Sequence, residues 1–255
     1  MATPLAFLAS ETEVAQQALS HLTGLYDDTP LEKAGVIVAL GGDGFMLQTL
    51  HSIRHLDIPT YGMNCGTIGF LMNEYAEEGL IDRVEAAEEE VLHPLHMRAG
   101  TADGGVFEAL AINEVALLRA GPQAAKLRIT VDGKLRMPEL VCDGALVSTP
   151  AGSTAYNYSA HGPILPIGSD ALALTAMSAF RPRRWRGALL PRMATVRFDV
   201  LEAEKRMIMA DADSRHSVKN VIYVEVRSAT HVHHKILFDL GLGLVEGLIR
   251  EKFVC

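Results

Sequence analysis

The first 92 residues alternate short apolar runs with segments of helical periodicity, and this alternation limits the fold more than any other feature of the chain. Apolar runs begin near Pro4, Gly35 and Ile58. Helical patterns lie between and after them, in ETEVAQQALSHL and FMLQTLHSIRHL. A strand, helix, strand, helix order predicts a parallel sheet covered by helices. We therefore expect an α/β domain over residues 1–92, closed by an acidic amphipathic helix in EEGLIDRVEAAEEEV.

From about His93 the pattern changes to short segments of alternating polar and apolar residues. Turn signals separate them at Asp103-Gly104-Gly105 and at Asp132-Gly133. Asp-Gly between alternating segments favours antiparallel hairpins. We predict a β-rich, β-sandwich-like second domain over residues 93–230, after a first domain of Rossmann-like type. Residues 231–255 are predicted to form a tail that ends in a helix, KILFDLGLGLVEGLIREKFV, and packs back on the first domain.

Composition excludes several classes of protein. The formal net charge of -8 argues against a nucleic-acid binder, which needs a basic face for phosphates. We expect no membrane span, because no run of about eighteen apolar residues occurs. Three cysteines without metal-like spacing favour a reducing compartment, so we expect a cytoplasmic protein. His231, His233 and His234 have no carboxylate or cysteine at ligand spacing, so we expect no metal site built from side chains.

A glycine-rich turn, Gly41-Gly42-Asp43-Gly44, follows the apolar run VIVAL and precedes a helical pattern. Ligands of open parallel sheets bind at such strand-to-helix turns. Glycines let backbone N–H groups approach a phosphate, and the start of the helix adds partial positive charge. Asp43 can then hold a metal ion that bridges phosphates, or accept a proton from an attacking hydroxyl. In the alternative interpretation the turn is purely structural and Asp43 only caps the helix.

A second unusual stretch, DGALVSTPAGSTAYNYSAHGPI, runs from Asp143 to Ile164. Seven of its twenty-two side chains carry a hydroxyl group. Ordinary turns are also rich in Ser, Thr, Gly and Pro. By itself, therefore, the stretch is equally compatible with a set of turns and with the wall of a ligand site.

Four motifs taken together resemble the NAD kinase family. GGDG is followed by NCGTIGFL at Asn64–Leu71, by Asn113-Glu114 within ALAINEVALL, and by STPAGSTAYNYSAHGPI. Lipid kinases of the diacylglycerol type and phosphofructokinases share the first motif but not the last. The resemblance implies transfer of the γ-phosphate of ATP, or of polyphosphate, to the 2′-hydroxyl of the adenosine ribose of NAD, with NADP as product. Open alternatives are a GGDG-type kinase of a lipid or sugar and a catalytically silent NAD-binding regulator.

The resemblance also assigns roles to residues of this chain. It implies that Asp43 is catalytic, that Gly41 and Gly42 form the phosphate loop, and that Mg²⁺ accompanies ATP. It places Asn113 against adenine, and Glu114 and Asp143 against sugar hydroxyls or the carboxamide. The site is expected in the cleft between the domains of a homodimer or homotetramer. The substrate-binding residues implied in this way are Gly44, Phe70, Asn113, Glu114, Asp143, Ala151, Thr154, Ala155, Tyr156, Asn157, Tyr158 and Ser159.

The chain departs from the family pattern at three positions. Phe45 stands where a small polar residue is common, which leaves the phosphoryl donor open. Val141 stands where some relatives have arginine, and this bears on selection between NAD and NADH. His161 replaces a glycine before Gly162-Pro163, so the local turn is expected to differ. Asp211 or Asp213 lies where the family has a further ligand-facing acidic residue, and the register between the two stays open.

Overall fold

The computed structural model describes residues 3–66 and 69–241. The chain divides into two compact units, one formed by residues 1–92 and 232–255 and the other by residues 93–231. Each unit contains its own cluster of buried apolar side chains. Within the described ranges, no helix has both the length and the apolar character needed to cross a bilayer.

The first unit begins with alternating strands and helices. All six residues of its second strand are buried, which explains the uninterrupted apolar run. Thr12 caps the first helix by accepting a hydrogen bond from the Ala15 N–H. The elements in order are β1 (Leu5–Ala9), α1 (Glu13–Leu25), β2 (Val36–Gly41), α2 (Asp43–Ser52), β3 (Thr60–Asn64), β4 (Asn73–Glu74), α3 (Leu80–Ala86) and β5 (Glu88–Leu92).

The second unit consists mainly of strands, and only one 3₁₀ turn and one short helix interrupt them. The 3₁₀ turn spans Ala151–Thr154, and the helix α4 follows it at Tyr156–Ser159. The strands are β6 (Leu95–Thr101), β7 (Val106–Ala111), β8 (Glu114–Arg119), β9 (Ala125–Val131), β10 (Lys134–Cys142), β11 (Gly144–Ser148), β12 (Ala171–Met177), β13 (Gly187–Pro191), β14 (Val196–Val200), β15 (Ile208–Ala212), β16 (His216–Lys219) and β17 (Val221–Ser228). The last described strand, β18 (His234–Phe238), returns to the first unit.

The sheet of the first unit has the order β1-β2-β3-β18-β5, with β4 beside β3. Neighbouring strands are parallel except β5, which runs antiparallel to β18, so the sheet is mixed. Two helix predictions are wrong in part. The acidic helix ends at Ala86, and Glu88–Leu92 forms an edge strand; the beginning of the predicted C-terminal helix is strand β18. The rest of that predicted helix, from residue 242, lies outside the described residues.

The second unit contains two antiparallel six-stranded sheets, ordered β10-β9-β14-β17-β6-β7 and β13-β12-β11-β8-β15-β16. Phe198 of the first sheet and Val147 of the second belong to the same buried cluster, so the sheets pack face to face as a sandwich. Both predicted hairpins are confirmed. Asp132 and Gly133 have φ of 49° and 72°, the left-handed pair that a two-residue hairpin turn requires.

Candidate active site

Asp43 is held in one orientation at the start of α2. The helix follows β2 almost directly, with Gly42 as its N-cap. The Asp43 carboxylate accepts hydrogen bonds from the backbone N–H groups of Phe70, at 2.8 Å, and Leu71, at 2.9 Å. Burial raises the pKa of this carboxyl above its ordinary value, and the two backbone hydrogen bonds oppose the rise. The side chain is therefore both oriented and a stronger base than a surface aspartate.

Gly69 allows this contact to form. A Cβ atom at residue 69 would lie 2.6 Å from Asp43 Oδ1, closer than carbon and oxygen approach without bonding. The second glycine of NCGTIGFL is thus needed by the aspartate of GGDG. The two motifs, more than twenty residues apart, form one structural unit around a single carboxylate. Residues 67 and 68 of this motif lie outside the described residues.

The three glycines of GGDG have different surroundings. A Cβ at Gly41 would lie 2.8 Å from Phe45 Cβ, so the phenylalanine that departs from the family pattern fills the space beside that glycine. A Cβ at Gly42 or Gly44 would meet no atom of the described residues within 4 Å. Backbone that is open in this way, at the positive end of a ten-residue helix, suits the approach of a phosphate group.

In the second unit, the Asn113-Glu114 pair packs against the hydroxyl-rich stretch and is hydrogen-bonded to it. The Asn113 carbonyl accepts hydrogen bonds from the Thr149 N–H, at 2.9 Å, and from Ser148 Oγ, at 3.3 Å. A Cβ at Gly152 would lie 2.1 Å from the Asn113 carbonyl oxygen. Only glycine fits there, so STPAGST packs directly against the backbone of the Asn-Glu pair.

Two buried acceptor atoms of this pair have no hydrogen-bond partner among the described residues, Asn113 Oδ1 and Glu114 Oε2. Glu114 is only 7% exposed. Burial raises the pKa of its carboxyl to about 8, the negative charge of Asp213 adds to the rise, and the Tyr156 N–H opposes it. Buried acceptors are rarely left unpaired in a folded chain. The arrangement therefore suits a ligand that supplies the missing hydrogen-bond partners, a donor for Asn113 Oδ1 and either a donor or an acceptor for the Glu114 carboxyl.

Several polar side chains of the hydroxyl-rich stretch form hydrogen bonds within the protein and stabilise its fold. Ser153 Oγ donates to the Pro150 carbonyl, at 2.7 Å, and accepts from the Leu165 N–H, at 2.9 Å. Asn157 is completely buried; its amide donates to the Pro163 carbonyl, at 2.9 Å, and accepts from the Thr175 hydroxyl, at 2.6 Å. Both side chains stabilise the turn from inside, so the family-based expectation that Asn157 faces the substrate does not match its burial.

The remaining members of the stretch lie closer to solvent. Tyr156 and Tyr158 are 39% and 48% exposed, unusually high values for aromatic side chains, and Ser159 is exposed as well. Thr154 and Ala155 are half-buried beside them, whereas Ala151 is buried. Burial raises the pKa of the Tyr156 phenol, and the nearby Glu114 carboxyl adds to the rise. Two exposed tyrosines next to unpaired acceptors suit a ligand with flat rings and donor groups.

Asp143 is not part of this group within one chain. It precedes β11, whereas Glu114 pairs with Ser148 at the other end of that strand. Five residues of extended chain span about 16 Å. The Asp143 carboxylate instead forms an ion pair with Arg119, 2.6 Å from its Nε. Asp143 and Glu114 therefore cannot contact the same ligand group within one chain, and a contact of Asp143 with another part of the substrate stays a prediction.

The other departures from the family pattern also have structural correlates. His161 has φ of 60°, so the chain keeps the left-handed conformation of a glycine although a histidine stands there. Val141 is buried, and its backbone pairs with Arg181. Asp213 was one of two open candidates for a ligand-facing acid, but its carboxylate accepts hydrogen bonds from the backbone N–H groups of residues 112–114.

An α/β unit with an oriented carboxylate in a glycine turn, followed by a β-rich unit with unpaired buried polar atoms, suits a phosphotransferase with an alcohol acceptor. Residues 3–86 match the family model for the ATP-NAD kinase N-terminal domain, and residues 112–237 match that for the ATP-NAD kinase C-terminal domain. The chain belongs to the ATP-NAD kinase family.

Curated relatives and solved structures agree with this assignment. The NAD kinase of Cereibacter sphaeroides is 66% identical over 250 residues, which cover 98% of both chains. That of Caulobacter vibrioides is 55% identical over 98% of this chain and 96% of its own. The fold resembles that of yeast NADH kinase complexed with NADH, with a TM-score of 0.83, 18% identity, and coverage of 100% of this chain and 90% of that one. It also resembles an NAD kinase from Archaeoglobus fulgidus in complex with ATP, with a TM-score of 0.75, 22% identity, and coverage of 97% and 98%.

The raised pKa of Glu114 predicts a pH-dependent stability. In the unfolded chain the carboxyl titrates near 4.5, and in the folded chain near 8. The stability that its protonated form contributes is fully present below pH 4.5 and is lost as the pH rises through 8. Glu114→Gln carries no charge at either pH. Relative to the wild type, we expect its free energy of unfolding to rise by about 1 kcal/mol per pH unit between pH 5 and 8.

Urea unfolding at four pH values between 5 and 8 measures this difference. Glu204→Gln is the matched control, because Glu204 is exposed and its replacement should leave the pH profile unchanged. Parallel profiles for Glu114→Gln and the wild type would show that Glu114 does not titrate as a buried acid.

Proposed function

We propose that the chain transfers the γ-phosphoryl group of ATP to the 2′-hydroxyl of the adenosine ribose of NAD and so produces NADP. The observation that carries this proposal is the position of Asp43. Its partly buried carboxylate is fixed by hydrogen bonds from two backbone N–H groups, and the neighbouring glycine backbone is unobstructed. Family membership specifies the two substrates. The complexes of yeast NADH kinase with NADH and of the Archaeoglobus fulgidus NAD kinase with ATP agree with that pair of ligands.

In this mechanism Asp43 acts as the general base. Its carboxylate accepts the proton of the 2′-hydroxyl while the ribose oxygen attacks the γ-phosphorus, and the bond between that phosphorus and the bridging oxygen of ADP breaks. A raised pKa suits this role, because a general base works best when its pKa lies close to the working pH. The hydrogen bonds from Phe70 and Leu71 use one lone pair on each carboxylate oxygen and leave others for the substrate.

The open backbone of Gly42 and Gly44 is proposed to face phosphate groups of the bound nucleotides. The N–H groups of the first turn of α2 have no partner within the helix and can donate to phosphate oxygens. A carboxylate so close to phosphates would repel them unless a cation is present. We therefore infer a requirement for a divalent cation such as Mg²⁺, which would neutralise the phosphate charges when bound with ATP. Among the described residues no cluster of three or more acidic, histidine or cysteine side chains could hold a metal.

Asn113 and Glu114 are proposed to bind donor groups of NAD, with Tyr156 and Tyr158 available to pack against a ring. Adenine, the ribose hydroxyls and the carboxamide of NAD all carry both hydrogen-bond donors and acceptors, which could pair with Asn113 Oδ1 and with the Glu114 carboxyl. Phe70, Thr154, Ala155 and Ser159 are kept in the proposed binding set. The assignment of each residue to one part of NAD stays open.

Mass spectrometry of the reaction products tests this function. The purified chain is incubated with ATP and Mg²⁺ and with NAD, a diacylglycerol or a hexose as acceptor. We expect phosphorylation of NAD alone. Phosphorylation of the lipid or the sugar would indicate the related kinase class. If the chain binds NAD but forms no phosphorylated product with either ATP or polyphosphate as the donor, it is the catalytically silent regulator. A parallel reaction with polyphosphate in place of ATP decides the donor.

Gly44→Ala is expected to affect stability and activity in opposite directions. Alanine is a better helix former than glycine by up to about 1 kcal/mol. Its methyl group meets no described atom, so the melting temperature should rise. The same methyl would occupy space proposed for a phosphate, so the KM for ATP should rise at least about fivefold. Gly24→Ala in α1 is the control, since that methyl also meets no described atom and should raise stability without changing the KM. An unchanged KM in Gly44→Ala would contradict the proposed phosphate position.

Cytoplasmic location and assembly into a homodimer or homotetramer remain predictions. Light scattering on the purified chain measures the assembly directly, and a monomer at micromolar concentration would contradict it.

A further inference from the structure

The backbone at residues 112–114 lies where the chain leaves one sheet of the second unit and enters the other. β7 belongs to the first sheet and ends at Ala111, and β8 belongs to the second and begins at Glu114. At such a crossing the ladder of neither sheet can satisfy every backbone group. The carbonyls of Ile112 and Asn113 accept hydrogen bonds from Thr149, through its hydroxyl at 2.7 Å and its N–H at 2.9 Å.

The N–H groups of the same crossing converge on one carboxylate. Asp213 Oδ2 accepts from the Ile112 N–H at 2.6 Å. Asp213 Oδ1 accepts from the N–H groups of Asn113, at 2.9 Å, and Glu114, at 3.2 Å. The Asp213 N–H in turn donates to the Glu114 carbonyl, at 3.2 Å. Four hydrogen bonds thus connect this single residue to a segment about one hundred positions earlier in the chain.

Asp213 holds this position at a conformational cost. It lies in the turn between β15 and β16, and both Asp213 and Ser214 have φ of 54°. Hairpin turns of this kind favour Asn-Gly or Asp-Gly, because most side chains are strained in the left-handed region. The hydrogen bonds to residues 112–114 offset that cost. Left-handed residues that persist in spite of it are often found at functional sites.

We propose that Asp213 is a positioning residue for the dinucleotide: it fixes the backbone of Ile112–Glu114 and thereby the directions of the Asn113 and Glu114 side chains. This inference rests on the proposed function, because the value of that orientation depends on Asn113 and Glu114 binding NAD. It differs from the expectation of a ligand-facing acid, since the Asp213 carboxylate faces the protein's own backbone.

Asp213→Asn is the direct test. The amide keeps one acceptor oxygen but turns an N–H₂ group toward backbone N–H donors, so at least one of the three hydrogen bonds is lost. We expect the KM and the Kd for NAD to rise at least tenfold, while the KM for ATP stays within about twofold and kcat at saturating NAD within about threefold. Kinetics at varied NAD and varied ATP, together with calorimetric titration of NAD, give these values.

Asp132→Asn is the matched control. Asp132 also occupies a left-handed hairpin position, with φ of 49°, and its carboxylate accepts a backbone N–H, that of Thr195, at 2.8 Å. Both variants lose one negative charge and disturb one turn. We expect unchanged NAD binding in Asp132→Asn, so a rise in KM that appears only in Asp213→Asn cannot come from loss of charge or of turn stability alone.

A second variant keeps the test informative if Asp213→Asn does not fold. Asp213→Gly fits the left-handed backbone but has no carboxylate, so the turn can form while the three N–H groups lose their acceptor. It should show the same selective loss of NAD affinity. If either folded variant binds NAD as the wild type does, the inference is overturned. It is also overturned if kcat and both KM values change together with the melting temperature, since Asp213 would then act only in folding.

The outcome for the proposed function is read separately, from the wild type. If the wild-type chain does not phosphorylate NAD, the function itself fails. If it does, and Asp213→Asn has an unchanged KM for NAD, the function stands and only the positioning role of Asp213 fails.

Discussion

Asp43→Asn is expected to lower turnover with NAD at least about a hundredfold, while the Kd for NAD changes by no more than about threefold. The amide is similar in shape to the carboxylate but cannot accept the proton of the ribose hydroxyl. Steady-state kinetics and NAD titration of the variant measure both quantities. A variant with near-normal turnover would eliminate Asp43 as the base.

Stability must be measured alongside turnover, because the amide also disturbs two hydrogen bonds. An asparagine can accept from only one of the Phe70 and Leu71 N–H groups without turning its own N–H₂ toward the other. An unpaired N–H costs about 1–3 kcal/mol. Asp82→Asn is the control, because Asp82 is exposed in the first turn of α3 and should be replaceable without effect on turnover.

The pH profile separates loss of the base from loss of stability. A general base must be ionised, so wild-type kcat/KM should fall as the pH is lowered through the pKa of Asp43. Burial raises that pKa, so the fall should begin at a higher pH than for an ordinary aspartate. The residual activity of Asp43→Asn should lack this acidic limb.

Gly69→Ala is expected to lower turnover ten- to a hundredfold by displacing the Asp43 carboxylate, although no group that reacts is itself replaced. The new methyl carbon would lie 2.6 Å from Asp43 Oδ1, so the carboxylate must move. A displacement of about 1 Å at a catalytic group can cost a hundredfold in rate. Rate measurements at saturating substrates detect the loss.

The control for this substitution is Gly121→Ala, where an added methyl meets no described atom within 4 Å. It should leave turnover unchanged. If Gly69→Ala retained full turnover and stability, catalysis would not depend on the orientation of the Asp43 carboxylate that the structure shows.

The fold could be predicted where local pattern and tertiary contacts agree. VIVALG is apolar throughout and forms a fully buried parallel strand, and the Asp132-Gly133 turn forms the expected hairpin. The prediction failed where pairing with a distant strand overrides local preference. Glu88–Leu92 continues a helical pattern rich in Glu and Ala, yet it forms a strand because β18, more than a hundred residues later, pairs with it. A single sequence contains no signal of that partner.

The candidate site shows the same division. Family motifs predicted Asp43, Asn113 and Glu114 as functional residues, and these have oriented or unpaired polar atoms. The motifs could not distinguish hydroxyls that face a ligand from those that hold a turn, so Asn157 was assigned to substrate although it is buried and fully engaged. Nor could spacing show that Asp213 meets residues 112–114, because that contact depends on how the strands of the second unit are ordered.

A crystal structure of the chain with bound NAD tests the central claim most directly. The account predicts an oxygen of the Asp43 carboxylate within about 3.2 Å of the 2′-oxygen of the adenosine ribose, the reach of a general base. A structure with the aspartate turned away from the ligand, or with a different hydroxyl of NAD at that oxygen, would contradict it.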